Sequence, residues 1–156
     1  MADISAIFFI LLITSIAFPA MLAAWWLLFP SLITRAQTRI EKSLARSFWL
    51  GLVIIIAVTI PIVILLALPF GPAKFIGWIL IAVSLALSSI GSAGIAAHLG
   101  ERMQQAGNNY TSLGAFIRGS VVLELATFFP ILGWFFLLPL VLITAFGATG
   151  FALLNW

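Results

Sequence analysis

The sequence predicts an all-α integral membrane protein: a four-span helical bundle with a basic interfacial segment and a broken or re-entrant C-terminal helix. Three observations carry that prediction. Hydrophobic residues make up 64% of the 156-residue chain and charged residues only 7%, whereas an ordinary soluble domain carries about 25% charged residues. Mean hydropathy is +1.29, and a water-soluble fold of this size has too much surface for its volume to hide so much apolar area. Apolar runs long enough to cross a bilayer, about 20 residues at 1.5 Å rise each, recur along the chain between prolines, glycines and charges.

Residues 1–156 read as one transmembrane domain. The first span is expected over residues 7–29. Met1-Ala2-Asp3 puts no basic residue ahead of it, and its apolar run outlasts a signal-peptide core, so it reads as an uncleaved anchor. Pro30 and the polar stretch TRAQTRIEKSLARS at 34–47 end it. A second span follows at 48–70, closed by the turn Pro69-Phe70-Gly71-Pro72, and a third at 75–97. Residues 98–112 form the only sizeable polar loop.

The remainder is too long for one span and too short for two comfortable ones. It holds Arg118, Glu124 and a break at Phe129-Pro130-Ile131-Leu132-Gly133. Proline removes a backbone donor and clashes with the preceding turn, so a helix stops or kinks there. An interfacial or re-entrant helix is expected over 113–128 and a fourth span over 131–154, with a fifth full span as the alternative.

Charge orients the chain. Arg35, Arg39, Lys42 and Arg46 in the first loop, with Arg102 and Arg118 in the third, set six positives against Lys74 alone in the second. The positive-inside rule then places 34–47 and 98–118 in the cytoplasm and the N-terminus outside. The pI near 10.2 is thereby a topological signal and not a nucleic-acid footprint. Trp25, Trp26, Trp49, Trp78 and Trp156 fall near span ends, where aromatic belts form.

Catalysis finds little to stand on. Cysteine is absent, and the acids are Asp3, Glu41, Glu101 and Glu124 with His98 as the single histidine. No carboxylate pair, HExxH motif or glycine-rich phosphate loop occurs, so the sequence points away from an enzyme and names no catalytic residue and no metal site. Gly91-Ser92-Ala93-Gly94 faintly resembles an intramembrane-protease serine motif. Ser92 and His98 would nevertheless lie about 240° apart around one helix. His98 reads as a polar cap, and ligation of a pigment or haem is its minority role.

Other patterns are stronger. Ser84, Ser88, Ser92, Ala96 and Gly100 recur every four residues, a small-residue stripe of the kind that lets helices approach closely in lipid. Thr144, Ala148 and Ala152 repeat it more weakly. Arg35, Arg39, Lys42 and Arg46 fall within about 60° of one helical face, with Ile33, Ala36, Ile40 and Leu44 opposite. That is a helix lying in the interface, greasy side in lipid and cations toward anionic headgroups or an acidic partner. Glu124 is a carboxylate in an apolar stretch, a functional candidate by default.

The stretches FPSLITRAQTRIEKSLARSFWLGL and FPILGWFFLLPLVLITAFGATG resemble the small polytopic membrane unit found with bactofilin-type, polymer-forming proteins in bacteria. The resemblance implies a bacterial cytoplasmic membrane and an anchor or scaffold without assigned catalytic residues. The function expected is a non-enzymatic accessory, stabilising or assembly subunit that binds other membrane proteins. The alternative is a small transporter or channel component using Glu124 and the Pro130 break.

Overall fold

The computed structural model describes residues 2–107 and 110–154, less the side chains of residues 2–4, 7, 8 and 11. Trp156 and the Asp3 side chain lie outside the described residues. The described chain is helical almost throughout: α1 (Ala2–Leu28), α2 (Pro30–Lys42), α3 (Leu44–Ala67), α4 (Gly71–Gln105), α5 (Ser112–Phe128) and α6 (Leu138–Leu154), the last entered through a π-helical turn at Gly133–Leu137.

Local chemistry sets the boundaries. Phe29 leaves helical geometry (φ −130°, ψ 57°) and Pro30 opens α2, where a missing N–H costs nothing. The two helices bend there by 107°. Ser43 is extended (φ −165°, ψ 93°), and its hydroxyl accepts from Arg46 N at 3.3 Å, capping α3. Gly107 has φ 96° and follows the end of α4, the left-handed geometry that glycine adopts without penalty. Thr111 caps α5 by accepting from Gly114 N at 3.2 Å. Before α6, Leu138 N donates five residues back to Gly133 O. Pro139 follows directly and has no N–H to restore the ordinary ladder.

Two expected boundaries are corrected. The helix of the third apolar run does not stop where that run ends at 97; α4 carries on through His98, Glu101 and Arg102 to Gln105, and the polar connection shrinks to 106–111. No proline or positive-φ residue intervenes to end it sooner. The basic segment is also not one helix, because the break at Ser43 puts Arg46 on the first turn of α3.

Helix α4 is the hub, packed against α1, α2, α3, α5 and α6, while α3 packs chiefly on α6. The α3–α6 contact rests on two glycines. A Cβ on Gly51 would lie 2.9 Å from Gly147 N, and one on Gly147 would lie 2.8 Å from Gly51 N. Backbone meets backbone there, the arrangement by which helices associate where burial in lipid supplies no drive.

Outside these seams the surface is apolar. Val53, Ile56, Ile60, Val63 and Ile64 on α3, and Ile131, Trp134, Phe135 and Phe136 beyond α5, are all exposed. Among the described residues, three helical segments, Leu44–Ala67, Gly71–Gln105 and Gly133–Leu154, are long and apolar enough to cross a membrane. A fourth counts if Leu12–Leu28 and Pro30–Lys42 form one bent span.

Candidate functional site

The small-residue stripe on α4 is largely occupied by this chain's own helices. Ala96 and Gly100 seat α5: a Cβ on Gly119 would lie 2.7 Å from Gly100 N, and one on Gly100 would lie 2.7 Å from Ala115 C. Gly91 meets α6 at Ala145, and Thr149 Oγ1 of α6 donates to Leu87 O of α4 at 2.9 Å. Ser92 Oγ donates to Ser88 O at 3.0 Å and is buried. Thr144, Ala148 and Ala152 are buried in the same bundle.

The Ser84–Ser88 end of the stripe opens outward. Both residues line a groove of about 320 Å³ with Thr59 and Ile62 of α3 and Leu142 and Phe146 of α6. Ser84 Oγ donates to Leu80 O at 2.7 Å. Ser88 Oγ is buried with no hydrogen-bond partner among the described residues. Ser88 also lines a second hollow of about 400 Å³ with Phe18, Met21, Trp25 and Ser92. The Trp25 Nε1 donor is likewise buried and unpartnered. Trp26 stacks on Phe116 of α5, with ring centres 5.5 Å apart, so Trp25 and Trp26 pack on the bundle core. Trp49 and Trp78 are exposed, as a belt requires.

On α2 the charges are sorted by face. Arg35, Arg39 and Lys42 line an open groove of about 350 Å³ with Thr34, Thr38 and Phe151 of α6. The Arg39 guanidinium sits 3.9 Å above the Phe151 ring centre, a cation–π contact. The opposite side corrects the expectation of a helix with its greasy face in lipid. Ile33, Ala36 and Ile40 are buried, with Ala36 and Ile40 clustered against Ala148 and Ala152 of α6 and Ala36 against Gly94 of α4. Small residues on both partners make room for α2, so protein covers this face. Arg46 is exposed and stands outside the groove.

A polar cluster that the spacing did not reveal joins α2 to α4. His98 Nδ1 lies 3.3 Å from Glu41 Oε1. Gln37 Nε2 donates to Glu41 Oε1 at 3.3 Å and also to Glu101 Oε2. Burial pushes the Glu41 carboxyl up, but hydrogen bonds to His98, Glu101 and Gln37 and the charge of His98 outweigh it and hold the group below its ordinary value. His98 is therefore a strut between helices. Its partner is 57 residues away in sequence. The signal available earlier was that Gln37, Glu41 and the α4 extension carrying His98 and Glu101 share the same end of the apolar runs.

Glu124 reaches neither the basic stripe nor solvent. It is buried at 4% exposure on α5, and its Oε1 has no partner among the described residues. Arg118, six residues earlier, stacks over Tyr110 at 3.6 Å. The break after α5 spans 129–132 and includes Pro130. Among the described residues no three of His, Asp or Glu are placed to hold a metal ion. No family model, curated protein or solved structure matches the chain.

Proposed function

We propose that the protein is a non-enzymatic accessory or assembly subunit, embedded by four spans in a bacterial cytoplasmic membrane, that receives a helix of a partner membrane protein. One observation carries this reading. The groove between α3, α4 and α6 is lined by apolar side chains together with the hydroxylated Thr59, Ser84 and Ser88, and the buried Ser88 hydroxyl has no partner among the described residues. An interhelical hydrogen bond to such a hydroxyl, together with close backbone approach, is how helices associate in lipid. The resemblance to the bactofilin-associated unit supports an anchoring or scaffolding role of the same kind.

The test fills the groove without touching the internal seams. Ser84→Leu with Thr59→Leu is expected to keep expression and thermal stability and to lose co-purifying membrane proteins identified by mass spectrometry. Retention of the same partners by the double variant would sink the reading.

A second reading has one observation in its favour. Glu124 is a buried carboxylate with an unpartnered oxygen, next to a broken helix, features shared with ion- and proton-coupled transporters. Glu124→Gln keeps the shape and removes the charge. A proton or ion flux in proteoliposomes that the wild type shows and this variant lacks would make transport the better account.

A further inference from the structure

We infer that the groove between α2 and the end of α6 binds a phosphate group, and that its source is the headgroup of an anionic phospholipid. The inference is independent of the partner-helix groove. It rests first on how α2 distributes charge. Arg35, Arg39 and Lys42 line the groove, and among the described residues no acidic side chain does. The one acid of α2, Glu41, is held on the α4 side by His98 and Gln37. Among the described residues, Arg39 and Lys42 are thus not neutralised from within the groove.

The donors are chemically selective. Thr34 Oγ1 and Thr38 Oγ1 each give their hydrogen to a carbonyl of their own helix, Pro30 O and Thr34 O, both at 2.8 Å. What remains for a ligand is guanidinium and ammonium, which favour an anion over a neutral polar group. Arg39 is preorganised for one, because Phe151 supports the plane of its guanidinium. A flat, fixed guanidinium fork matches two oxygens of a phosphate, and an adjacent ammonium adds a point charge.

Position argues for lipid as the source. The groove lies at the end of α6, where Leu153 and Leu154 are exposed beside Phe151 and Ala152. Acyl chains find an apolar surface there while the phosphate stays among the cations. At about 350 Å³ the groove holds a headgroup and not a whole lipid.

The experiment is native mass spectrometry of the intact protein in neutral detergent, titrated with phosphatidylglycerol, phosphatidylcholine or inorganic phosphate. One phosphatidylglycerol per chain is expected to be retained in preference to phosphatidylcholine. Each groove cation removed should weaken retention by roughly fivefold, the factor equivalent to about 1 kcal/mol per cation. Lys42→Gln and Arg39→Gln are expected to show that loss, while Arg46→Gln, outside the groove, retains the lipid. Equal losses in all three variants would mean diffuse attraction and overturn the site. Protection of the wild type by millimolar inorganic phosphate alone would overturn the lipid as its source. If Arg39→Gln fails to fold, Lys42→Gln against Arg46→Gln decides the same question.

Discussion

The α3–α6 seam makes the sharpest demand on the structure, and Gly51→Ala tests it with one methyl group. The new Cβ would lie 2.8 Å from Ile143 C and 2.9 Å from Gly147 N, and closer still to Ile143 O. These are backbone atoms, which cannot rotate away, so the helices must separate. Overpacking of this kind costs about 1–3 kcal/mol, and the rigidity of both sides puts Gly51 at the upper end. Alanine returns about 0.5–1 kcal/mol through its better helix propensity. The clash wins by about 2 kcal/mol, or about 4–8 °C in Tm for a chain of this length. Gly150→Ala is the control, because its new Cβ meets only side-chain ends, Ile54 Cδ1 at 2.7 Å and Leu50 Cδ2 at 3.7 Å. The Ile54 methyl can turn aside, so Gly150→Ala should be at least as stable as the wild type, keeping the alanine propensity gain of up to about 1 kcal/mol. Thermal unfolding in mild detergent, followed by circular dichroism, reads both. A Gly51→Ala Tm equal to that of Gly150→Ala would refute the close approach of α3 and α6.

Three further outcomes follow from other parts of the bundle. Cytoplasmic reporters fused after Arg46 or Gln105 should be active and one fused after Gly71 inactive; the opposite pattern would reverse the orientation proposed from the charge bias. Glu41 is held below its ordinary value by its partners, so its contribution is present above the unfolded glutamate pKa, about 4.3, and is lost as pH falls through the lower folded value. Glu41→Gln should therefore flatten the acid side of the Tm–pH curve, and an unchanged curve would deny that the cluster ties α2 to α4. Thr149→Val removes the only hydroxyl that bridges α6 to Leu87 O among the hydrogen bonds described; a loss of roughly 0.6–1.7 kcal/mol is expected, and no loss in a denaturation series would place that bond outside the folding energetics.

That the chain is helical was legible because apolar length is a local property. The stretches 48–70, 131–154 and 113–128 overlap the helical segments Leu44–Ala67, Gly133–Leu154 and Ser112–Phe128. Pro30 and Pro130 mark real breaks, since a missing N–H acts wherever the chain goes. The helix register of α2 was also readable, because cations at 35, 39 and 42 share a face whatever covers the other side. What covers it was not. Whether Ile33, Ala36 and Ile40 meet lipid or protein depends on Gly94, Ala148 and Ala152, residues 50 to 120 positions away whose only signature is smallness. The Glu41–His98 contact was hidden for the same reason, and because α4 outruns its apolar stretch by two turns.

Smallness in this chain therefore has two destinations, and they separate along α4. At the Gly91–Gly100 end the small residues meet backbone of α5 and α6, so enlarging them strains contacts that already exist. At the Ser84–Ser88 end they meet a groove, and the buried Ser88 hydroxyl has no partner among the described residues. A buried hydroxyl without a hydrogen bond costs about 1–3 kcal/mol relative to a satisfied one. On the reading proposed above, a shift of the groove walls that uncovered it would let a helix hydroxyl or amide satisfy it, which lipid chains cannot do. If the proposed docking holds, the same residue type that closes the bundle on itself at one end offers, one turn further along, an energetic reason for a second helix to dock.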